Sequence, residues 1–268
     1  MSTAKSVELS TVALQRIVKH IPQPGGLVAS GCLLGLDTAA GAVEVTNVFL
    51  HPAKGAADFQ PTEDDAAGEY QGECLKLLKA ANLDANIVGW FQSSLLSSFV
   101  NEATVEIQYD YQTQNPNSVL IVAEPGNTLI RAFQLSPEYM LFHKAMRERR
   151  AQGPATLITG GPVKFNTATQ SVFTPVSVAI TLSVLDEAFL LEQRSLIDTT
   201  DCVATDKTAL LTSLAETIED LAIEHVRFTQ LAGNTAATTR IRGEDESKRI
   251  QSANDYILLT ENAKWLCR

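Results

Sequence analysis

Residues 87–94 read Ile-Val-Gly-Trp-Phe-Gln-Ser-Ser and lead through three residues into Ser98-Phe-Val-Asn-Glu102. Ile87 to Phe91 is a short apolar run closed by an aromatic pair, the pattern of a buried strand that ends in a polar turn. Ser97 or Ser98 then caps a helix through Tyr111, because a hydroxyl at that place satisfies free backbone N–H groups.

The stretches on either side supply partners for such a strand. Leu27 to Leu36 is a nearly continuous apolar run with two glycines, which suits a strand buried on both faces. Asp37 to Gly41 makes a turn and Val43 to Leu50 alternates, so the two runs form an antiparallel hairpin. Before them, residues 6–21 read as a short strand and a helix capped by Ser10 or Thr11. Val12, Leu14, Ile17, Val18 and Ile21 keep helical spacing there, and Pro22, Pro24, Gly25 and Gly26 break it. Residues 52–61 are an Ala, Gly and Pro loop. Thr62, with Glu63, Asp64 and Asp65, opens a helix to about Asn82, since acidic groups favour the positive end of the helix dipole.

Downstream, Val119 to Ala123 and Thr128 to Phe133 are paired strands around Pro125-Gly126-Asn127. Ser136-Pro137-Glu138 opens a further helix with proline in its first turn. Residues 152–180 are β-rich around Gly160-Gly161-Pro162, and Thr181 to Gln193 is helical. Residues 6–195 thus form one mixed α/β domain, a mixed sheet flanked by helices.

From residue 196 to 268 the texture changes. Leu211, Leu214, Ile218, Leu221, His225 and Phe228 follow a 3-4-3-4-3 spacing, an a/d seam on one helix of about 205–232. A second helix of about 247–266 carries Ile250, Ala253, Ile257 and Trp265. The two stripes pair with one another, pack on the first domain or dock on a partner.

Composition excludes several classes. Of 268 residues, 45% are hydrophobic and 19% charged, which rules out wholesale disorder. The net charge of −10 argues against binding a polyanion by overall field. Lys144, Arg147, Arg149 and Arg150 are the one basic cluster; Glu148 dilutes it, and it reads as a solvated helix face, with direct RNA contact left open. No run of about 18 apolar residues exists, so no membrane span is expected. Met1 to Lys5 leads into a stretch without a signal peptide's apolar region, and a cytosolic or nuclear location is expected. Cys32, Cys74, Cys202 and Cys267 form no C-x-x-C pair. His20, His51, His143 and His225 fall in no H-x-H or H-x-x-x-H pattern, so none has metal-ligand spacing. No nucleophile elbow and no phosphate-binding loop occurs. Glu63-Asp64-Asp65 reads as helix-capping charge rather than a cation site.

The segment 87–102, with its surroundings, resembles the MPN-domain family. In the active zinc isopeptidases of that family this strand carries H-x-H followed by x(7)-S-x-x-D, and a glutamate lies upstream, three residues before a glycine. Carried over by position, the two histidines fall on Gln92 and Ser94. The aspartate falls on Thr104 or Val105, the serine on Asn101 or Glu102, and the glutamate on Val28, before Gly31. Glutamine and serine are poor zinc ligands beside imidazole. Valine has no group to take a proton from metal-bound water. The resemblance therefore implies an MPN domain without metal, cofactor or enzymatic activity.

The match narrows to a zinc-less branch, the H-subunit family of eukaryotic translation initiation factor 3. Val88-Gly-Trp-Phe-Gln-Ser93, Ser98-Phe-Val100 and Ile107-Gln-Tyr-Asp-Tyr-Gln112 carry it. So do Gly31-Cys-Leu-Leu-Gly-Leu36, Glu44-Val-Thr-Asn-Val-Phe49, Leu135-Ser-Pro137 and Pro175-Val-Ser-Val-Ala179. Residues 233–246 are shorter than the family's Gln/Arg-rich stretch, and 52–61 replaces a more acidic segment. The resemblance implies a scaffold that binds other subunits of the factor. These are the F subunit, through its MPN domain, and PCI-domain subunits, through a helical bundle. It also implies support of 43S preinitiation complex assembly on the small ribosomal subunit. Leu211, Leu214, Ile218, Leu221, Phe228, Ile257 and Trp265 are then the expected bundle residues. An inactive MPN subunit of the proteasome lid or the COP9 signalosome is the alternative.

Overall fold

The computed structural model describes residues 4, 6–21, 29–38, 41–51, 65–94, 99–124, 130–152, 165, 170–188, 207–234 and 243–266. Seven strands close into a barrel in the order β1-β3-β2-β4-β5-β6-β7. They are β1 (Ser6–Ser10), β2 (Ser30–Asp37), β3 (Ala42–Leu50), β4 (Ile87–Ser93), β5 (Val119–Ala123), β6 (Ile130–Leu135) and β7 (Phe173–Thr181). β2 pairs antiparallel with both β3 and β4, and β5 with β6. β1 runs parallel to β3 and β7, and β4 parallel to β5. The expected hairpin at 27–50 and the mixed sheet are both present.

The helices are α1 (Thr11–His20), α2 (Asp65–Ala80), α3 (Glu102–Gln114), α4 (Pro137–Gln152), α5 (Lys207–Asn234) and α6 (Gly243–Leu266). Ser10 caps α1, its Oγ accepting from the Ala13 N–H at 3.2 Å. Ser136 does the same for α4, accepting from Tyr139 N–H at 3.2 Å. At α3 the cap is neither Ser97 nor Ser98, which lie outside the described residues. The Thr104 N–H donates to Asn101 Oδ1 at 2.7 Å, and the helix starts at Glu102. Phe99 and Val100 are non-helical and buried, because both side chains belong to a core. Thr181 ends β7 rather than opening a helix; the helical turn covers 184–188 after Ser183, whose Oγ accepts from Asp186 N–H. α6 starts four residues before the expected 247. Thr62, Gly160-Gly161-Pro162 and residues 189–193 lie outside the described residues.

Two compact units form, and neither is contiguous in sequence. One comprises residues 1–95, 110–134 and 175–205. Its core gathers Val7, Leu9, Ile17, Leu33, Val43, Val45, Phe91 and Ile121, all buried. Each such side chain contributes about 1.5–3 kcal/mol by leaving water. Gly89 is required there: a Cβ would collide with the Val119 carbonyl oxygen across the β4–β5 pairing. The other unit comprises 96–109, 135–174 and 206–268. Phe99 meets Phe173 edge-on at 5.4 Å, and Tyr139 meets Phe142 at 5.6 Å and Phe165 at 5.2 Å. The terminal helices, read above as a segment of their own from 196, share this unit.

Candidate functional site: the degenerate metal positions and the terminal helices

β4 extends two residues past Phe91, and its polar end is buried. Gln92, Ser93 and Ser94 are each less than a tenth exposed. Ser93 knits this end to Ala29: its N–H donates to the Ala29 carbonyl at 2.7 Å, and its Oγ accepts from the Ala29 N–H at 2.8 Å. The Ser94 N–H donates to the Ala123 carbonyl at 3.1 Å, while the buried Ser94 Oγ has no hydrogen-bond partner. Gln92 and Ser94, the two positions that the resemblance sets against histidines, are two apart, so alternation sends both to one face. Val28 lies outside the described residues.

In the other unit, Asn101 spends its side-chain oxygen on the cap of α3. Thr104 and Val105 are buried in the first turn. The one carboxylate among the aligned positions, Glu102, accepts from Gln251 Nε2 of α6 at 3.2 Å. A zinc centre needs imidazole, thiolate or carboxylate donors converging on one point. Among the aligned positions only Glu102 offers such a donor, so this set does not fit zinc. Among the described residues no group of three or more His, Cys, Asp or Glu is arranged to hold a metal ion.

A second cluster lies on β2 and β3. Cys32 Sγ is 3.2 Å from His51 Nε2 and 3.3 Å from the Tyr111 hydroxyl, and Tyr111 stacks on Trp90 at 6.5 Å. Burial pushes the Cys32 thiol up to about 11, only partly opposed by the Tyr111 hydrogen bond. Burial also holds the His51 imidazole below its ordinary value, and burial, with Cys32 beside it, raises the Tyr111 phenol. The pair is therefore neutral thiol and neutral imidazole, the opposite of an activated cysteine nucleophile. His51 is half-buried directly after the end of β3.

The terminal helices pack against each other. Along α6, Ile257, Leu258 and Trp265 are buried at 7%, 4% and 7% exposure. Polar groups fix the same face. Asn262 Oδ1 accepts from Val100 N–H at 2.9 Å and its Nδ2 donates to the Val100 carbonyl at 2.7 Å. The Tyr139 hydroxyl donates to Asn254 Oδ1 at 3.1 Å. Glu261, 2% exposed, accepts from Trp265 Nε1 at 3.2 Å and Lys264 Nζ at 3.3 Å. Ile257 and Trp265, expected as bundle residues, are buried within the chain. On α5, Ile218 is exposed and Leu221 half-buried. His225 is exposed, its ring 5.8 Å from that of Tyr256. The side chains of Leu211, Leu214 and Phe228 lie outside the described residues. Apolar periodicity does not single out Asn254, Glu261 and Asn262, because it counts polar residues as solvent-facing.

The family model described as "JAB1/Mov34/MPN/PAD-1 ubiquitin protease" matches residues 2–117. The chain is 35% identical over 156 residues to the H subunit of eukaryotic translation initiation factor 3 from Neurospora crassa, covering 52% of this chain and 43% of that one. It is 33% identical over 204 residues to the H subunit from Coccidioides immitis, covering 69% and 53%. With that of Nematostella vectensis it shares 35% over 145 residues, covering 52% and 42%. The chain spans about half the length of the curated relatives it matches. The relatives carry the name of an initiation-factor subunit, whereas the family's description is that of a protease. Among the described residues no helix is long and apolar enough to cross a membrane.

Proposed function

We propose that this chain, which has the mixed α/β MPN fold and is a relative of the H subunits of eukaryotic translation initiation factor 3, is a non-catalytic scaffold subunit of that factor. It binds other subunits and supports assembly of the 43S preinitiation complex on the small ribosomal subunit, in the cytoplasm. The observation that carries this reading is the conjunction of a 204-residue match to one of these H subunits with a buried strand end that offers Gln92 and Ser94 where a protease of this fold needs histidines. Without those donors no metal is available to acidify water or polarise a peptide carbonyl, and the fold is left as a surface.

In this reading the MPN domain pairs with the MPN domain of the F subunit, and PCI-domain subunits engage the terminal helices. The partner residues are those of α5: Leu211, Leu214, Ile218, Leu221 and Phe228. Ile257 and Trp265 are buried within the chain.

The test is sedimentation of the tagged full chain from cell extract through a sucrose gradient. The reading expects the chain in the fractions of the small ribosomal subunit, stripped from them by high salt together with the rest of the factor. Exclusive migration with the proteasome lid or the COP9 signalosome overturns it.

A further inference from the structure

Three polar side chains converge on the face of the sheet opposite the barrel core. Leu33 and Phe91 belong to that core, while Cys32 pairs across the strands with Phe49 of β3 and Trp90 of β4. Cross-strand partners share a face, so Cys32, Phe49 and Trp90 stand together on the side away from Leu33. There Cys32 Sγ lies 3.2 Å from His51 Nε2 and 3.3 Å from the Tyr111 hydroxyl. Aromatic rings wall the cluster: Phe49 meets His51 edge-on at 6.1 Å, and Trp90 stacks on Tyr111 at 6.5 Å. Cys32 is fully buried, whereas His51 and Tyr111 are half-buried and keep an edge in solvent.

Cys32 and His51 are 19 residues apart, and the β2–β3 hairpin brings them together, so no motif spacing marks them. Thiolate sulfur and imidazole nitrogen are the donors that soft cations prefer. Such bonds are about 2.0–2.3 Å long on a first-row metal, so a sulfur and a nitrogen 3.2 Å apart can share one ion. Charge selects the ion. A monovalent cation on one thiolate leaves the buried site neutral, whereas a divalent one leaves an uncompensated charge that burial penalises. Zinc also takes three or four strong ligands, more than this cluster offers, and calcium and magnesium need oxygen cages. Burial holds the His51 imidazole below its ordinary value, so near neutral pH it is uncharged and keeps a lone pair for a metal.

We propose that Cys32 and His51 bind one copper(I) ion, with the Tyr111 hydroxyl donating a hydrogen bond to the thiolate. Binding forms one copper–sulfur and one copper–nitrogen bond and releases the Cys32 proton to solvent. Copper keeps its oxidation state, so the step needs neither oxidant nor reductant. The site uses none of the positions aligned with the family's zinc ligands, and it is independent of which complex the chain joins.

The test titrates the reduced full chain with copper(I) in the absence of oxygen, in competition with ferrozine, whose copper(I) complex is coloured. X-ray absorption of the chain loaded with one equivalent then identifies the atoms on the metal. A variant with Cys74→Ser, Cys202→Ser and Cys267→Ser leaves Cys32 as the sole thiol of the four. The expected result is one equivalent of copper(I), bound by one sulfur and one imidazole nitrogen and retained by the single-thiol variant. Binding is lost in Cys32→Ser and weakened in His51→Gln. In Tyr111→Phe it falls about tenfold or more, because a hydrogen bond to a ligand tunes metal affinity. Circular dichroism checks that each variant keeps its fold, and the X-ray absorption of the unmodified chain decides the matter without any variant. Two sulfurs on the copper, full retention by Cys32→Ser, or loss of copper from a folded single-thiol variant overturns the assignment. So does failure of the unmodified chain to take copper(I) from ferrozine.

Discussion

The side-chain amide of Asn262 closes on the backbone of Val100 from both directions, accepting from its N–H at 2.9 Å and donating to its carbonyl at 2.7 Å. A primary amide is the one side chain that pairs with a peptide unit as another peptide unit does. Val100 is 2% exposed and lies in a non-helical stretch, where Asn262 pairs with its peptide groups as a strand neighbour would. The last turns of α6 are thereby fixed to the segment that precedes α3.

Asn262→Ala leaves a donor and an acceptor buried without partners. Each unsatisfied group costs about 1–3 kcal/mol. The expected result is faster exchange of the Val100 amide hydrogen with deuterium, by one to two orders of magnitude, and earlier unfolding of the second unit in urea. Asn262→Asp keeps the acceptor but faces the Val100 carbonyl with a carboxylate, so it loses stability too. Unchanged protection at Val100 in the alanine variant contradicts the clamp.

The Cys32–His51 contact gives stability a pH dependence at both ends. His51 is held below its ordinary value of 6.5 by burial, so the unfolded chain takes its proton more readily than the folded one. This contribution is complete above about pH 6.5 and falls as pH drops below it. The Cys32 thiol moves from 9.0 up to about 11, so its contribution is complete below pH 9 and is lost as pH rises towards 11. Denaturation midpoints across pH should show both limbs. His51→Gln should flatten the acid limb and Cys32→Ala the alkaline one. In the folded chain at pH 8, iodoacetamide should label half-buried Cys74 before buried Cys32. Identical pH profiles in all three proteins contradict this assignment.

Placing two histidines on the end of β4 is expected not to create an enzyme. Gln92→His with Ser94→His supplies two donors, but Thr104 and Val105 offer no third ligand and Val28 no general base. The expected outcome is less than stoichiometric zinc by elemental analysis after dialysis, and no cleavage of ubiquitin chains. Stoichiometric zinc with cleavage contradicts the account of these positions.

Much of the fold is legible in the sequence because local chemistry and tertiary packing agree. Ser10 reads as a cap and is one; Leu33 and Val45 read as strand residues and form the hairpin core. Pattern misleads where burial overrides it. Gln92 and Ser93 are polar, so the strand reads as ending at Phe91, yet their hydrogen bonds allow it to run on into the interior. At α3 the side chains of Phe99 and Val100 are buried in non-helical backbone, and the helix starts only after Asn101, which caps it. Spacing reveals an apolar face on each terminal helix but not what covers it. Ile257 and Trp265 are buried on a helix that also carries the hydrogen bonds of Asn254 and Asn262, a contribution that hydrophobic periodicity does not register. The site positions themselves are legible only through the family resemblance, since nothing about glutamine or serine in isolation marks the place of a lost metal ligand.

The scaffold account stands most directly on what the chain keeps for company. Affinity purification of the tagged full chain at moderate salt, followed by mass spectrometry, should recover the other subunits of initiation factor 3 together with proteins of the small ribosomal subunit. Recovery of proteasome-lid or signalosome subunits in their place would contradict it.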